Sequence, residues 1–304
     1  MGGINDRLVE LIVVDNETNL EKAKQLFFET EQNHKPLLHI SALSFITTGL
    51  SEMAEENKVT LIALSAVAPE VTQNKEWTFR YFPMADAEAI PILEILNDQN
   101  INDLGILYLD DEFGRSITDE VGIKFENTGG SVFREPFNPN SLDFMENLEK
   151  IKSNDAIYIV AFPDYIKIIL KQLDELNYPG QILTSSDAAT FEIFSMSEAD
   201  GVYLAAPILY DQNFQFANQV GISYEMKYNK QLDYNAANSY DLLRILNGIL
   251  DGEKLSKANI RDVLNSGFTY SGIFGKVVSQ PKNHDIGFNL HPAKIVHGAL
   301  DFGT

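Results

Sequence analysis

The chain has 304 residues, of which 44% are hydrophobic and 22% charged, so its composition is typical of globular proteins and its length of about two domains. Its formal net charge of −21 disfavours nucleic acid and anionic membrane surfaces as partners, because both bind basic protein faces. The sequence contains no cysteine, which excludes disulfides, thiolate metal sites and a cysteine nucleophile.

Short apolar runs alternate with amphipathic stretches along most of the chain. The first predicted helix has Asn19 as its N-cap, and apolar residues recur at helical spacing from Leu20 to Phe27. Residues 212–266 are predicted to be helical throughout, and residues 271–304 to form paired strands. This alternation predicts an α/β protein with βαβ units and parallel sheets. The earlier predicted strands are residues 8–15, 37–40, 59–64, 104–110, 131–137, 156–160, 181–184 and 201–206.

Five loops connect the ends of predicted strands to predicted helices. Parallel α/β sheets bind ligands at the carboxyl ends of their strands, where helix N-termini present free N–H groups. The loop "SALS" adds the hydroxyl groups of Ser41 and Ser44, which favours a seat for a carboxylate or phosphate. Ordinary N-capping by Ser44 or Thr47 is the alternative interpretation. The tips of the other four loops are Ser65 with Val67, Phe113, Phe162, and Ser186 with Asp187. For each of the two aromatic residues, a place in the core is the alternative interpretation.

Catalytic and metal-binding motifs are not found in the sequence. The chain has no G-x-S-x-G, P-loop or G-x-G-x-x-G sequence, and its histidines lack the spacing H-E-x-x-H. The acidic run at residues 110–112 has two interpretations, a set of Ca²⁺ ligands or a solvated loop in which one acid caps the next helix. The sequence therefore predicts no enzyme, no metal site and no cofactor.

Several stretches, in order and spacing, resemble the type I periplasmic binding fold, and specifically the branched-chain amino-acid type of ABC-transporter substrate-binding protein. The resemblance extends from Gly2 to about Val278, and no single motif carries it. The matching stretches are "GGINDRLVELIVVDNETNLEKA", "SALSFITTGLSEMAEENKVTLIALSAVAPEVT", "FRYFPMAD", "GILYLDDEFGRSITDEVGIKFENTGGSV", "LDFMENLEKIKSNDAIYI" and "SEADGVYLAAPILYDQ".

The resemblance implies two doubly wound parallel-sheet lobes joined by three crossover strands. The N-terminal lobe would comprise residues 1–83 and 210–270, and the C-terminal lobe residues 84–209 and 271–304. The crossovers would lie near residues 79–86, 207–212 and 269–275. A small ligand would bind in the cleft between the lobes, which would close on it about a hinge.

The resemblance also implies roles for the loop residues. The loop at Leu43 and Ser44 would bind the ligand carboxylate, and groups of Ser65 and Val67 would complete the polar contacts. The other lobe would contribute the rings of Phe113 and Phe162, with an acid for the ligand ammonium. That acid aligns with Asp187, or with Ser186 if the register differs by one.

Three of these positions depart from the family pattern in an apolar direction. The family commonly has threonine at position 67 and tyrosine at positions 113 and 162, whereas this chain has Val67, Phe113 and Phe162. We expect a drier pocket, suited to a hydrophobic or aromatic carboxylate, or to an apolar amino acid if Asp187 faces the cleft.

The N-terminus departs from the family as well, because the first strand, loop and helix of the family have no counterpart before Gly2. A different start codon, a fragment of a longer chain and a partner chain that fills the gap all remain open. "MGGINDRLVE" lacks the regions of a signal peptide, and no run approaches the ~18 apolar residues of a membrane span. The chain is therefore expected to be cytoplasmic, or to have lost a leader.

The resemblance favours a non-enzymatic solute-binding protein that delivers a small carboxylate or amino acid to an ABC permease. Such a protein would be periplasmic or extracellular, without direct insertion into the membrane. A ligand-sensing domain of a receptor or regulator with the same fold is the alternative. An enzyme on an α/β scaffold is the third possibility, which the lack of a nucleophile–base motif disfavours.

Overall fold

The alternation of apolar and amphipathic stretches produces an α/β fold in the computed structural model, which describes residues 3–303. The α-helices are α1 Leu20–Asn33, α2 Ser44–Asn57, α3 Ala85–Asp98, α4 Glu112–Asn127, α5 Met145–Ile151, α6 Pro163–Glu175, α7 Phe191–Phe194, α8 Gln215–Tyr228, α9 Tyr234–Ile249 and α10 Lys257–Asn265. The strands are β1 Leu38–Ala42, β2 Thr60–Leu64, β3 Thr78–Tyr81, β4 Asp103–Leu109, β5 Ser131–Phe137, β6 Ala156–Val160, β7 Gln181–Thr184, β8 Tyr203–Pro207, β9 Phe268–Gly272, β10 Gly275–Ser279, β11 Asp285–Ile286, β12 Leu290–Val296 and β13 Ala299–Asp301.

The chain folds into two units and passes between them three times. Unit 1 contains the described residues up to Met84 together with Asn235–Phe288, and unit 2 contains Ala85–Tyr234 together with the described residues from Asn289 onward. The first passage lies within the predicted crossover at residues 79–86. The other two lie later than residues 207–212 and 269–275, where the sequence analysis placed them.

Local packing explains both shifts of the unit boundaries. Helix α8 packs against the 3-10 turn Ile208–Tyr210, which follows β8, and therefore belongs to unit 2. The antiparallel hairpin of β9 and β10 packs against β11, which pairs with β3 in unit 1. Residues 210–234 and 271–288 thus lie in the units opposite to those that the sequence analysis gave them.

Unit 1 is built on a parallel sheet with the strand order β1-β2-β3-β11. All residues of β2 are buried, as expected for a central parallel strand covered on both faces. Ile46, Leu50 and Ala54 recur along one side of α2 and pack with Phe27 of α1 and Leu61 of β2. The side chain of Asn19 caps α1 by accepting the N–H of Lys22, which confirms the predicted N-cap.

Residues 8–15 do not form the strand that the sequence predicts. They form no ladder with any strand among residues 3–303, and the side chains of Leu8 and Val13 are 89% and 80% exposed. An apolar, β-branched run becomes a strand only where a neighbouring strand pairs with its backbone and a core covers its side chains. Neither condition is met at residues 8–15 in the described part of the chain.

Unit 2 is built on a larger sheet with the strand order β13-β12-β8-β7-β6-β4-β5. The pairs among β4, β5, β6, β7 and β8 are parallel, and β12 runs antiparallel to both β8 and β13. Helix α6 covers one face through Ile166, Ile169, Leu170 and Leu173, which recur at helical spacing and are fully buried. These sheets show the expected fold, an α/β protein with parallel sheets in two units.

No helix within residues 3–303 combines the length and the apolar character that crossing a membrane requires.

In both units the parallel strands end at loops that lead into helices. These loops follow β1 and β2 in unit 1, and β4, β6 and β7 in unit 2. They are the loops that the sequence analysis selected as ligand-binding candidates.

Arg80 of β3 holds the loop after β2 in place. Its side chain is completely buried, and its Nε donates to Asp285 Oδ1 of β11 at 2.9 Å. Nη1 donates to the carbonyl oxygen of Ala66 at 2.7 Å, and Nη2 to that of Ala68 at 2.8 Å. A buried guanidinium must have such partners, because burial of an uncompensated charge is costly. The loop at residues 65–68 is thereby fixed to the sheet.

We expect Arg80→Met to lower the free energy of unfolding by about 3 kcal/mol, because it leaves two loop carbonyls and Asp285 without their cationic partner. Urea unfolding followed by circular dichroism measures this change. Arg115→Met is the matched control, because Arg115 pairs with Asp110 at 2.7 Å on the exposed surface and its loss should have no measurable effect. Equal stability of the two variants would show that Arg80 does not secure the loop.

Candidate functional site

In unit 1, the loops after β1 and β2 are joined where both strands end. Leu43 is the N-cap of α2, and its N–H donates to the carbonyl oxygen of Ser65 at 3.2 Å. Both residues have positive φ, +70° at Leu43 and +46° at Ser65. Residues other than glycine rarely adopt such backbone conformations, which cost about 1–3 kcal/mol each. Each of the two loops therefore has a strained backbone residue at this edge.

Ser44 is a buried residue that connects the two loops. It begins α2, and its Oγ accepts the N–H groups of Val67 at 3.1 Å and Ala68 at 3.3 Å. Thr47 donates its hydroxyl to Ser41 Oγ at 3.0 Å. No side chain caps α2, so the capping alternative for Ser44 and Thr47 does not describe this helix. The hydroxyl proton of Ser44 and the first turn of α2 remain as possible donors to an anion.

The structure brings the four predicted residues of unit 1, Leu43, Ser44, Ser65 and Val67, together at this edge. It also qualifies one role, because the backbone N–H of Val67 already donates to Ser44. Sequence reasoning missed Asn235 of α9, whose Oδ1 accepts the hydroxyl of Ser65 at 2.7 Å. These two residues are 170 positions apart, and no local pattern indicates their contact.

In unit 2, the two predicted aromatic residues contact each other. Phe113 lies in the first turn of α4 and Phe162 is the N-cap of α6, and their rings stack with centroids 5.0 Å apart and planes 17° apart. Asp111 caps α4 by accepting the N–H of Gly114 at 2.8 Å, as the capping interpretation of the acidic run predicts. One face of each ring is covered by the other ring, so only the remaining faces and edges could contact a ligand.

The predicted acid of unit 2 lies in a 3-10 turn, Ser186–Ala188, directly after β7. Ser186 is buried, and its backbone N–H donates to Glu88 Oε1 of α3 at 2.7 Å. Asp187 is partly buried, whereas Ser186 is buried, so Asp187 is the more accessible of the two residues. Within residues 3–303 no group of three His, Cys, Asp or Glu side chains could hold a metal ion.

Glu88 is the residue of this region that sequence reasoning missed. Its side chain is 2% exposed, and its Oε1 also accepts the hydroxyl of Tyr158 at 3.3 Å. Glu88 shares the buried face of α3 with Ala85, Ala89 and Ile92. An acidic residue within an apolar helical stripe was the available signal, because glutamate is almost never fully buried without a partner.

Glu88 and Asp187 both have raised pKa values. Burial raises the pKa of Glu88 to about 8, and the negative charge of Asp187 adds to the rise. Burial raises the pKa of Asp187 to about 7, with a contribution from the charge of Asp111. None of the groups that act on either carboxyl is cationic. At neutral pH the two acids therefore retain part of their protons.

We expect Ser44→Ala to lower the free energy of unfolding by about 1–3 kcal/mol, because two buried N–H groups lose their acceptor. Urea unfolding without ligand measures the effect. Ser239→Ala is the control, because Ser239 is exposed and its hydroxyl donates only to the carbonyl oxygen of Asn235 within the same helix, α9. A Ser44→Ala variant as stable as the control would contradict the role of Ser44 in joining the loops.

The stability of the protein should depend on pH through Glu88. The folded state raises the pKa of this carboxyl above its usual value of 4.5. Folding is therefore favoured by the proton of Glu88, and that contribution is lost as pH rises from 4.5 through about 8. Glu88→Gln keeps the acceptor oxygen but cannot ionise. Its stability relative to the wild type should rise over this range, by on the order of 4 kcal/mol.

Urea unfolding at pH 5, 7 and 9 checks this expectation. Glu135→Gln is the control, because Glu135 is also buried but pairs with Lys150 at 2.7 Å. This variant should not become more stable than the wild type as pH rises. A stability difference between Glu88→Gln and the wild type that does not change with pH would show that the burial of Glu88 leaves its ionisation unaffected.

Comparison with solved structures shows the same fold in binding proteins. The leucine-binding protein LivK of Thermotoga maritima is 20% identical, with a TM-score of 0.89 and coverage of 99% of this chain and 89% of that one. LivJ of Streptococcus pneumoniae in complex with isoleucine is 20% identical, with a TM-score of 0.86 and coverage of 99% and 88%. A solute-binding protein of an ABC transporter from Rhodopseudomonas palustris in complex with 3,4-dihydroxybenzoic acid is 18% identical, with a TM-score of 0.87 and coverage of 98% and 85%.

At these identities the structural likeness shows the fold alone. Comparison with curated protein sequences gives no match. The sequence itself, however, matches the family model described as periplasmic binding protein over residues 1–299. This match spans nearly the whole chain, and the chain therefore belongs to the periplasmic binding protein family.

Proposed function

We propose that the chain is the extracytoplasmic solute-binding component of an ABC importer and that it binds a small apolar amino acid or a hydrophobic or aromatic carboxylate. The observation that carries the proposal is the grouping of complementary loop residues in each unit. Unit 1 joins Leu43, Ser44, Ser65 and Val67 at one sheet edge, and unit 2 stacks Phe113 on Phe162. Family membership supports a binding function rather than catalysis.

The loops of unit 1 suit a ligand carboxylate. Helix α2 has no side-chain cap, so the positive end of its dipole and its first N–H groups can act on an anion. The hydroxyl proton of Ser44 lies at the same helix end. Val67 is almost completely buried and makes the packing beside these donors apolar. A carboxylate attached to an apolar group matches this combination.

The loops of unit 2 suit an apolar side chain and a cationic group. Phe162 is partly exposed and stacks on the buried Phe113, and the carboxylate of the partly buried Asp187 offers a partner for an ammonium. A single ligand with carboxylate, ammonium and apolar side chain would engage the loops of both units. We propose that it does so in a cleft that closes about the crossovers, since the closed state gains contacts that the open state lacks.

The related structures fit both ligand classes. The Thermotoga maritima protein is described as leucine-binding, the Streptococcus pneumoniae protein holds isoleucine and the Rhodopseudomonas palustris protein holds 3,4-dihydroxybenzoic acid. We propose Asp187 as the residue that separates the classes here, because a buried or half-buried carboxylate favours a ligand with an ammonium. The ligand-loaded protein would act outside the cytoplasm and dock on an ABC permease.

A calorimetric titration with matched ligands tests the proposal. We expect L-leucine or L-isoleucine to bind and to raise the melting temperature by mass action. Asp187→Asn should weaken amino-acid binding at least about tenfold, or about 1.4 kcal/mol, because the ammonium loses its anionic partner. Binding of 4-methylpentanoate, which is leucine without its amino group, should be unchanged by the substitution.

Asp200→Asn is the control for the loss of an acidic residue elsewhere in unit 2, because Asp200 is exposed and accepts the N–H of His297. Equal losses of both ligands in Asp187→Asn would contradict the ammonium role. Binding of none of the amino acids, 4-methylpentanoate or 3,4-dihydroxybenzoate would contradict the proposed ligand class.

A further inference from the structure

Glu88 connects helix α3 to the turn that carries Asp187. Its Oε1 accepts two hydrogen bonds, from the N–H of Ser186 at 2.7 Å and from the hydroxyl of Tyr158 at 3.3 Å. Ser186 immediately precedes Asp187 in the turn after β7. The carboxyl group of Glu88 therefore fixes the backbone that positions the carboxylate of Asp187.

A glutamate is a costly choice if this position only requires a hydrogen-bond acceptor. Glutamine presents the same carbonyl oxygen at the same distance and brings no ionisable group into the interior. The burial of Glu88 disfavours its charged form, and the nearby charge of Asp187 disfavours it further. The acidic group must therefore contribute something other than the two hydrogen bonds, or the position would simply destabilise the fold.

Among the described residues, the groups around the two acids include no cation that could stabilise their charged forms. Tyr158 of β6 and Ser186 of the turn donate hydrogen bonds to Glu88. Burial and the charges of both acids raise the pKa of Tyr234 at the start of α9. Burial and the charge of Asp111, the N-cap of α4, raise the pKa of Asp187. These groups are neutral or acidic. Two carboxyl groups in such surroundings cannot both ionise cheaply, so they retain a proton that titrates as a property of the pair.

A cationic ligand group changes this balance. An ammonium beside Asp187 would supply the positive charge that the surrounding residues do not, and would favour the ionised form of both acids. The proton held by the pair would then pass to the solvent, while the ligand keeps its own proton. Charge and protons balance, because one cation enters the site as another leaves it.

We propose, as an extension of the proposed function, that Glu88 is a positioning residue of the ammonium subsite and that the Glu88–Asp187 pair releases a proton when a cationic ligand group binds. Affinity for an amino acid then rises with pH while its amino group stays protonated. If one proton is released, the affinity rises about tenfold per pH unit. A ligand without an ammonium releases no proton.

Calorimetric titration of L-leucine into the wild type at pH 7, in two buffers of different ionisation enthalpy, counts the protons released. We expect about one proton per ligand in the wild type and at most roughly half as many in Glu88→Gln, which retains only the contribution of Asp187. Glu135→Gln, which changes a buried acid of unit 2 outside this region, should release as many protons as the wild type. Between pH 6 and 8 the affinity of Glu88→Gln should depend less on pH than that of the wild type.

The outcomes separate the two proposals. Equal proton release by the wild type and Glu88→Gln would overturn the role of Glu88 and leave the solute-binding function intact. Binding of 4-methylpentanoate but not of L-leucine would have the same meaning, because no cation would then enter the site. Failure to bind any tested amino acid or carboxylate would remove the proposed function, and the further inference with it.

A measurement on the wild type covers the case in which Glu88→Gln does not fold. Carbon-13 labelling of the glutamate carboxyl groups allows their titration to be followed by NMR. In the free protein one glutamate should titrate near pH 8, and with saturating L-leucine that carboxyl should be ionised at pH 7. A high-pH glutamate titration that L-leucine leaves unchanged would overturn the inference.

Discussion

Backbone groups at the ends of parallel strands must find hydrogen-bond partners, and in both units buried polar side chains supply them. In unit 1 the Oγ of Ser44 accepts two N–H groups of the neighbouring loop, and Arg80 donates to two carbonyls of the same loop. In unit 2 the carboxyl of Glu88 accepts the N–H of Ser186. The conformations of the candidate ligand loops depend on these bonds, because each loop lies outside the regular ladder of its sheet.

This arrangement gives the loops fixed positions before any ligand arrives. Side chains that are held by buried bonds lose little conformational freedom on binding, which lowers the entropic cost of forming the complex. The two units contribute different chemistry on this common principle. Unit 1 offers a helix N-terminus and a hydroxyl group, whereas unit 2 offers the partly exposed ring of Phe162 and the acid Asp187. The proposed amino-acid ligand carries a group that suits each of these two sets.

The sequence predicts most of the strands and the loops that follow them, because both depend on local patterns. Short β-branched runs before amphipathic helices identify β1, β2, β4, β6 and β7, and the loops follow from their ends. Residues 8–15 show the limit, since their apolar pattern is that of a strand but their state depends on a partner strand. Asn235 and Glu88 show a second limit. Each acts on a loop that is distant in sequence, and only the folded chain reveals the contact.

The positive φ angles of Leu43 and Ser65 have a consequence for how this edge can vary. A residue in such a conformation contributes through its backbone as much as through its side chain, because most replacements inherit the same strain. Glycine relieves that strain at the cost of a more flexible unfolded chain, whereas a β-branched residue increases it. Chemical similarity is therefore a poor guide to acceptable replacements at the two positions. Among proteins with this loop geometry, the backbone angle, rather than the apolar or polar character of the side chain, should limit which residues occur there.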